Sequence, residues 1–176
     1  MKTFAVPTRE EVTTTNQEIF DNLKKSLGFV PNLYATMAYS TNGLAKFLAY
    51  QNAKTSLSNR EKEAVNLIVS QVNECIYCLS AHTTIGKMNG FTDEQILDLR
   101  RGKSENPKLN ALVKLAADIT RSKGKANEEL VSGFYEQGYT NENLIDLILL
   151  ISDKTAMNYT HNLTQIPVDF PVAPAL

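Results

Sequence analysis

The sequence predicts an all-α domain, and three observations lead to that prediction. Apolar residues recur mostly at helical spacing, and strand-like alternation is scarce. The chain has only 8 glycines and 6 prolines, and they fall between the periodic segments. Several segments begin with a residue type that caps helices, such as Ser58, Thr92 and Thr140. We therefore expect a single domain over residues 1–176, with its core motif region at 40–125.

The N-terminal part is predicted to contain three helices joined by short turns. Their expected ranges are Glu10–Leu27, about Leu33–Ala38 and about Asn42–Lys54. In the first helix, Ile19, Leu23 and Leu27 share a face, and Gly28 is expected to end the helix in a cap position.

The stretch "SNRE", Ser58 to Glu61, has the pattern of a capping box. In that motif the hydroxyl accepts an unpaired backbone N–H, and the glutamate reaches back to the cap residue. It opens a helix with Ala64, Leu67 and Ile68 along one side. The "CIYC" segment is expected to begin the next helix, which runs to about Met88.

Four more helices and an extended tail are predicted for the second half. The helices are expected over Asp93–Arg101, from Asn106-Pro107 to near Lys123-Gly124, from Asn127 onward, and from the N-cap Thr140 through a long final helix. The tail "TQIPVDFPVAPAL" has three prolines and cannot be helical. We expect it to lie extended across the domain or a neighbouring subunit.

Composition lowers the prior for several classes of protein. The formal net charge is −1 and there is no basic stripe, so we expect no nucleic-acid partner. No apolar run approaches the roughly 18 residues that span a bilayer. Residues Met1 to Pro7 lack a signal-peptide core. We expect a cytoplasmic protein, where a close pair of cysteines is more often redox-active or metal-binding than a structural disulfide.

The stretch "QVNECIYCLSAH" holds both cysteines of the chain and one of its two histidines. On a helix, Cys75, Cys78 and His82 stand three and four residues apart and share one face. Cysteines at a helix N-terminus can close a disulfide, and the free N–H groups there stabilise a thiolate. His82 is placed to take a thiol proton.

Glu63 is the best candidate for a carboxylate that orients His82. In one straight helix the two residues would lie about 28 Å apart. If the helix breaks near Val72-Asn73, the two arms fold back into a hairpin and Glu63 can reach His82; asparagine favours such a break. A Glu63–His82–Cys78 relay therefore requires a helical hairpin.

Other interpretations of these residues stay open. The cysteines could be core residues, since free cysteine buries readily. A structural zinc site needs about four ligands, so we expect no metal. Glu63 stands in the charged stretch "NREKE" and could be solvated. His161, at the end of the last helix, is interpreted as structural or interfacial.

The spacing Glu63-x11-Cys75-x2-Cys78-x3-His82 resembles the motif of the alkylhydroperoxidase D (AhpD)-like family, part of the carboxymuconolactone decarboxylase superfamily. The flanks "LSNREKEAVNLIVSQVNECIYCLSAHT" and "NYTHNLTQIPVDFP" are similar as well. One position departs from the pattern. The better-studied enzyme of this family has a second histidine just before the second cysteine, and this chain has Tyr77, which we expect to shape the pocket.

The resemblance implies a helical fold that is usually trimeric or hexameric and that reduces hydroperoxides. It implies that Cys78 attacks the peroxide, that Cys75 resolves the product, and that Glu63 and His82 relay protons. It further implies a peroxidase that needs no cofactor and whose partners are a hydroperoxide and a dithiol or redox-protein reductant. Two alternatives remain: a cofactor-free decarboxylase or lyase of the same superfamily, and a non-enzymatic redox sensor.

Overall fold

Nine α-helices and one short 3-10 helix make up the regular structure of residues 4–176, the part of the chain that a computed structural model describes. Their bounds are η1 Arg9–Glu11, α1 Thr14–Leu27, α2 Asn32–Met37, α3 Gly43–Gln51, α4 Asn59–Val72, α5 Ile76–Met88, α6 Asp93–Arg100, α7 Pro107–Ser122, α8 Glu128–Glu136 and α9 Asn141–Thr164. These described residues contain no β-strand, which confirms the all-α prediction.

Helix α4 is the central element of the fold. It packs against α5, α6, α7 and α9, and every residue from Glu63 to Ser70 is buried. The predicted capping box starts it: the Ser58 side chain accepts the Glu61 N–H, and Glu61 accepts the Ser58 N–H at 2.8 Å. A helix buried on all sides can bring polar side chains into the interior wherever a partner helix supplies matching groups.

The first helix differs from the prediction at its start and on its buried face. It begins at Thr14 because Thr13 is its N-cap residue. The residues before it form the separate helix η1, which starts with a capping box between Thr8 and Glu11. Its buried residues are Asn16 and Phe20, whereas Leu27 is exposed. Gly28 ends the helix with a φ of 86°, a left-handed conformation that glycine adopts without a side-chain clash.

The C-terminal residues 166–176 form an extended segment, here called the C-terminal strap. It lies across the molecule's own helices: the Ala173 N–H donates to Ser80 at 3.0 Å, and Arg100 donates to the Pro174 carbonyl at 2.8 Å. Its Val168 and Phe170 pack against the buried cluster that contains both cysteines. Among residues 4–176, no helix is long and apolar enough to cross a membrane.

Candidate active site

The turn between α4 and α5 sets the position of Cys75. Helix α4 ends at Val72 with Asn73 as its cap, and Glu74 follows with a left-handed φ of 54°. Side chains of α9 hold this turn: Asn162 donates to the Asn73 carbonyl at 2.7 Å, and Asn73 donates to Asn158 at 2.9 Å. A non-glycine residue in this conformation is uncommon and persists where the surroundings fix it.

Cys75 is the N-cap residue of α5, and its thiol is part of the cap. The sulfur accepts the backbone N–H of Cys78 at 3.4 Å. Both cysteines are free thiols and both are buried, with exposed fractions of 0 % and 2 %. An oxidant therefore reaches them only through a local opening or in a very small molecule.

The two thiols share one proton. The hydrogen bond from Cys78, together with the contact of His161 and the Cys78 N–H, outweighs burial and lowers the pKa of Cys75 to about 5. The same thiol–thiol hydrogen bond, with burial, raises the pKa of Cys78. The pair thus loses its first proton readily and its second with difficulty, and Cys75 carries the negative charge in the resting state.

Glu63 and His82 form a buried pair between α4 and α5. The Glu63 Oε2 atom lies 2.7 Å from His82 Nδ1, and Asn66 donates to the other carboxylate oxygen at 3.2 Å. Burial raises the pKa of Glu63, but the neighbouring His82 and Lys154 outweigh burial and lower it. Burial, aided by Lys154, lowers the pKa of His82. At neutral pH a neutral His82 therefore donates its Nδ1–H to the Glu63 carboxylate, leaving Nε2 as a proton acceptor.

His82 makes no hydrogen bond to Cys78 within residues 4–176, although the two share a face of α5. Two groups that favour ionisation of the Cys78 thiol come from α9 instead. The Lys154 charge and a hydrogen bond with Asn158 both favour its thiolate. The relay expected from the sequence is thus assembled in part: Glu63 holds His82, and Cys78 lies on the same helix face without a direct bond to either.

A stripe of polar residues on α9 completes the site, and the sequence interpretation missed two of its three members. Lys154, Asn158 and His161 are all buried and face the hairpin of α4 and α5. They lie on the same face of α9 as the buried apolar residues Leu147 and Ile151, because successive members of this set are four or three residues apart. That change from apolar to polar along one helix face was the available signal.

Tyr77 lies beneath the C-terminal strap. Its hydroxyl accepts the Leu33 N–H at 3.2 Å, and its ring packs edge-on against Phe170 with centroids 5.7 Å apart. Burial and the adjacent Asp169 raise the pKa of Tyr77, so the phenol stays neutral. Tyr77 therefore joins α5, α2 and the strap over the two cysteines.

A sizeable cavity lies away from this site. It has a volume of about 770 Å³, lies among α4, α6 and α7, and is lined mostly by polar side chains such as Arg60, Glu94 and Asp98. None of the four motif residues lines it. Within residues 4–176, no cluster of three or more His, Cys, Asp or Glu side chains is arranged to hold a metal ion.

Residues 38–118 match the model of the carboxymuconolactone decarboxylase family. The match, together with the structural relatives below, confirms the AhpD-like resemblance of the sequence. A Bacillus subtilis (strain 168) protein, the uncharacterized protein YdfG, is 25% identical over 108 residues, which are 60% of this chain and 74% of the relative.

Three solved structures share the fold across nearly the whole chain. An uncharacterized peroxidase-related protein with an alkylhydroperoxidase AhpD core, from Ralstonia eutropha JMP134, has a TM-score of 0.85 at 21% identity, covering 94% of this chain and 91% of its own. A peroxidase-related protein from Silicibacter sp. TM1040 has a TM-score of 0.82 at 22% identity, covering 95% and 92%. The debrominase Bmp8 has a TM-score of 0.78 at 18% identity, covering 96% and 93%. At these identities the likeness shows the fold alone.

Proposed function

We propose that the protein is a thiol-dependent peroxidase that reduces hydroperoxides through a Cys75–Cys78 dithiol/disulfide cycle. One observation carries the proposal: two free, buried thiols stand three residues apart at the start of α5, where the Cys75 sulfur accepts the Cys78 N–H at 3.4 Å. The pKa of the Cys75 thiol is lowered to about 5. A thiolate with a second thiol in contact can take two electrons to an oxidant and end as a disulfide.

The proposed cycle begins with loss of the Cys78 proton to Nε2 of His82. Catalytic hydrogen bonds are often long before substrate binds, so this contact would close in the substrate complex. The Cys78 thiolate, favoured by Lys154, attacks one peroxide oxygen. The S–O bond forms, the O–O bond breaks, and the alkoxide leaves as the alcohol with the proton that His82 held.

Disulfide closure completes the oxidation. The Cys75 thiolate attacks the Cys78 sulfenic sulfur, the S–S bond forms, and hydroxide leaves as water after taking a second proton. Two thiols and one hydroperoxide thus give one disulfide, one alcohol and one water. A small dithiol or redox protein then restores both thiols by exchange, which suits the reducing cytoplasm.

Single substitutions of the two cysteines test this assignment. With an organic hydroperoxide and excess dithiol, we expect Cys78→Ser to abolish peroxide consumption. After reduction and removal of the dithiol, we expect Cys75→Ser to consume one equivalent and stop at a Cys78 sulfenic acid, which dimedone would trap for mass spectrometry. Full turnover in Cys78→Ser with loss in Cys75→Ser would reverse the roles, and turnover in both variants would refute the proposed function.

A brominated pyrrole is a second oxidant to assay, because the fold is shared with the debrominase Bmp8, a variant of which was solved in complex with 2,3,4-tribromopyrrole. The same dithiol would supply two electrons to a C–Br bond, giving a C–H bond, bromide, a proton and the disulfide. The burial of both thiols favours a small peroxide over a substituted ring. If the protein released bromide from the pyrrole faster than it consumed peroxide, this preference for a small peroxide would be wrong.

A further inference from the structure

The two ring nitrogens of His161 have different surroundings within residues 4–176. The residue lies in the last turn of α9, is only 3 % exposed, and stacks beside Tyr77 with ring centroids 5.3 Å apart. Its Nε2 lies 3.2 Å from the Ile166 carbonyl, which can only accept, so Nε2 carries the hydrogen. Among the described residues, Nδ1 is buried and makes no hydrogen bond. A neutral His161 therefore holds an unused proton acceptor in the interior.

Cys75 is the reacting group next to that ring. It belongs to the same buried cluster as Ile166, the residue that fixes His161 from the other side, and it is close enough for each residue to influence ionisation of the other. Its sulfur already accepts the Cys78 N–H, an arrangement that suits an anion. Formation of this thiolate requires a nearby base that accepts the thiol proton.

We propose that His161 is the proton acceptor of Cys75, so that α9 supplies a second Cys–His pair alongside Cys78 and His82. In this step the S–H bond of Cys75 breaks and an N–H bond forms at Nδ1, with no change in oxidation state. The imidazolium then holds the proton that the leaving hydroxide takes when the disulfide closes. The inference rests on the proposed dithiol cycle and adds the residue that keeps its resolving thiol ionised.

The surrounding groups favour His161 over His82 for this role. His82 is held by Glu63, and both burial and the Lys154 charge lower its pKa. Burial lowers the pKa of His161 too, but its contacts with Cys75 and the Ile166 carbonyl outweigh burial and raise it. The pair also contacts Cys78 on α5, beside Cys75, and Tyr77 on α5, beside His161. The nearest charged groups beyond these are Lys154 on α9, which acts on Cys78, and Asp169 on the strap, which acts on Tyr77.

His161→Gln separates this role from a structural one. The glutamine amide can still donate to the Ile166 carbonyl, as Nε2–H does, but has no group in place of Nδ1. The reduced protein would be labelled with 13C at cysteine Cβ, whose chemical shift reports ionisation of each thiol. We expect the titration midpoint of Cys75 to rise from about 5 towards the ordinary thiol value of about 8.5.

The matched control is His82→Gln, because the chain has only two histidines. It should lower peroxide turnover and leave the Cys75 titration in place. An unchanged Cys75 midpoint in His161→Gln, or an equal shift in both variants, would overturn the inference. No peroxide enters this titration, so a failure of the proposed peroxidase activity would leave its result intact.

A reciprocal measurement covers the case in which His161→Gln does not fold. Coupling between two ionisations acts equally in both directions. In Cys75→Ser, the imidazole 15N shifts of His161 should therefore titrate at lower pH than in the wild type, and those of His82 should not move. A His161 titration unaffected by loss of the Cys75 thiol would refute the pairing.

Discussion

At the scale of single residues, the Glu63 carboxylate decides which nitrogen of His82 is free. Because Nδ1 lies 2.7 Å from Glu63, the remaining acceptor is Nε2. The carboxylate also offsets the unfavourable effect of burial and of Lys154 on a protonated His82. In the proposed cycle Glu63 acts through His82 and is a positioning residue.

Replacing Glu63 by glutamine should slow peroxide reduction by about 10²-fold, the lower end of the usual contribution of acid–base groups. The amide keeps the shape of the side chain but removes the charge that stabilises protonated His82. Stopped-flow measurement of Cys78 oxidation by an organic hydroperoxide would give the rate, and its pH profile should move as His82 becomes a weaker base.

Glu61→Gln is the control for that variant. Glu61 is two residues away and accepts the Ser58 N–H in the capping box, a role that glutamine also fills. We expect its oxidation rate to match the wild type. Equal rates in Glu61→Gln and Glu63→Gln would show that Glu63 has no part in the chemistry.

The sequence contained enough information for half of this residue arrangement. The spacing of Cys75, Cys78 and His82 follows from local helix geometry, and Glu63 from a helix break at Asn73. Lys154 and His161 belong to a helix more than 70 residues further along the chain. Helical periodicity shows that they share a face with Ile151, but it does not show which helix that face meets.

At the scale of elements, the C-terminal strap covers the helix that carries the cysteines. The Ser80 hydroxyl of α5 accepts the Ala173 N–H at 3.0 Å, and Ser80 is fully buried. Phe170 packs on Tyr77, one of the two residues between the cysteines. Access to the thiols therefore depends on how tightly the strap is held.

Ser80→Ala should loosen the strap and speed chemical labelling of the thiols. The substitution leaves the buried Ala173 N–H without an acceptor, which costs about 1–3 kcal/mol. If the strap opens without global unfolding, the labelling rate by a small alkylating reagent should rise roughly five- to a hundredfold. Mass spectrometry of samples quenched over time would measure it.

Thr84→Ala, on the same helix, is the matching control. The Thr84 hydroxyl bonds back to the Ser80 carbonyl within α5 and makes no hydrogen bond to the strap. Its labelling rate should stay near that of the wild type. If Ser80→Ala labels no faster than Thr84→Ala, the strap does not govern access.

Element starts were more predictable than element faces. Ser58, Thr92 and Thr140 each accept a backbone N–H at the helix starts expected from the sequence. Capping is local, so residues within one turn determine it. The buried face of a helix is harder to predict, as the exposed Leu27 shows. Apolar spacing indicates one face of α1, but the packing of other helices decides which residues of that face are buried.

At the scale of the whole molecule, the site residues link stability to pH. Cys75 has a pKa of about 5 in the folded protein and about 8.5 when unfolded, so between these values the unfolded chain binds the extra proton. His82, with its lowered pKa, is neutral in the fold, while an unfolded histidine is protonated below about 6.5. His161 has a raised pKa, so the folded protein holds its proton to higher pH than the unfolded chain does. This effect lowers the free energy of unfolding as pH rises, but only above about pH 6.5.

The free energy of unfolding of the reduced protein should therefore rise between pH 5 and about pH 6.5. Each of the two groups contributes at most about 1.4 kcal/mol per pH unit, because the unfolded chain holds up to one more proton at each. Urea unfolding at several pH values with reductant present would measure the slope. Cys75→Ser should flatten it, and an unchanged slope in that variant would contradict the assignment of the resting thiolate to Cys75.

In the proposed cycle, one peroxide converts the two free thiols of this chain into one disulfide. The most direct test is the intact mass and free-thiol count of the reduced protein before and after one equivalent of an organic hydroperoxide. We predict loss of both thiols, a mass decrease of two hydrogens, and full reversal by a dithiol. Two thiols that stay free, or a slow gain of oxygen atoms without a disulfide, would contradict the account.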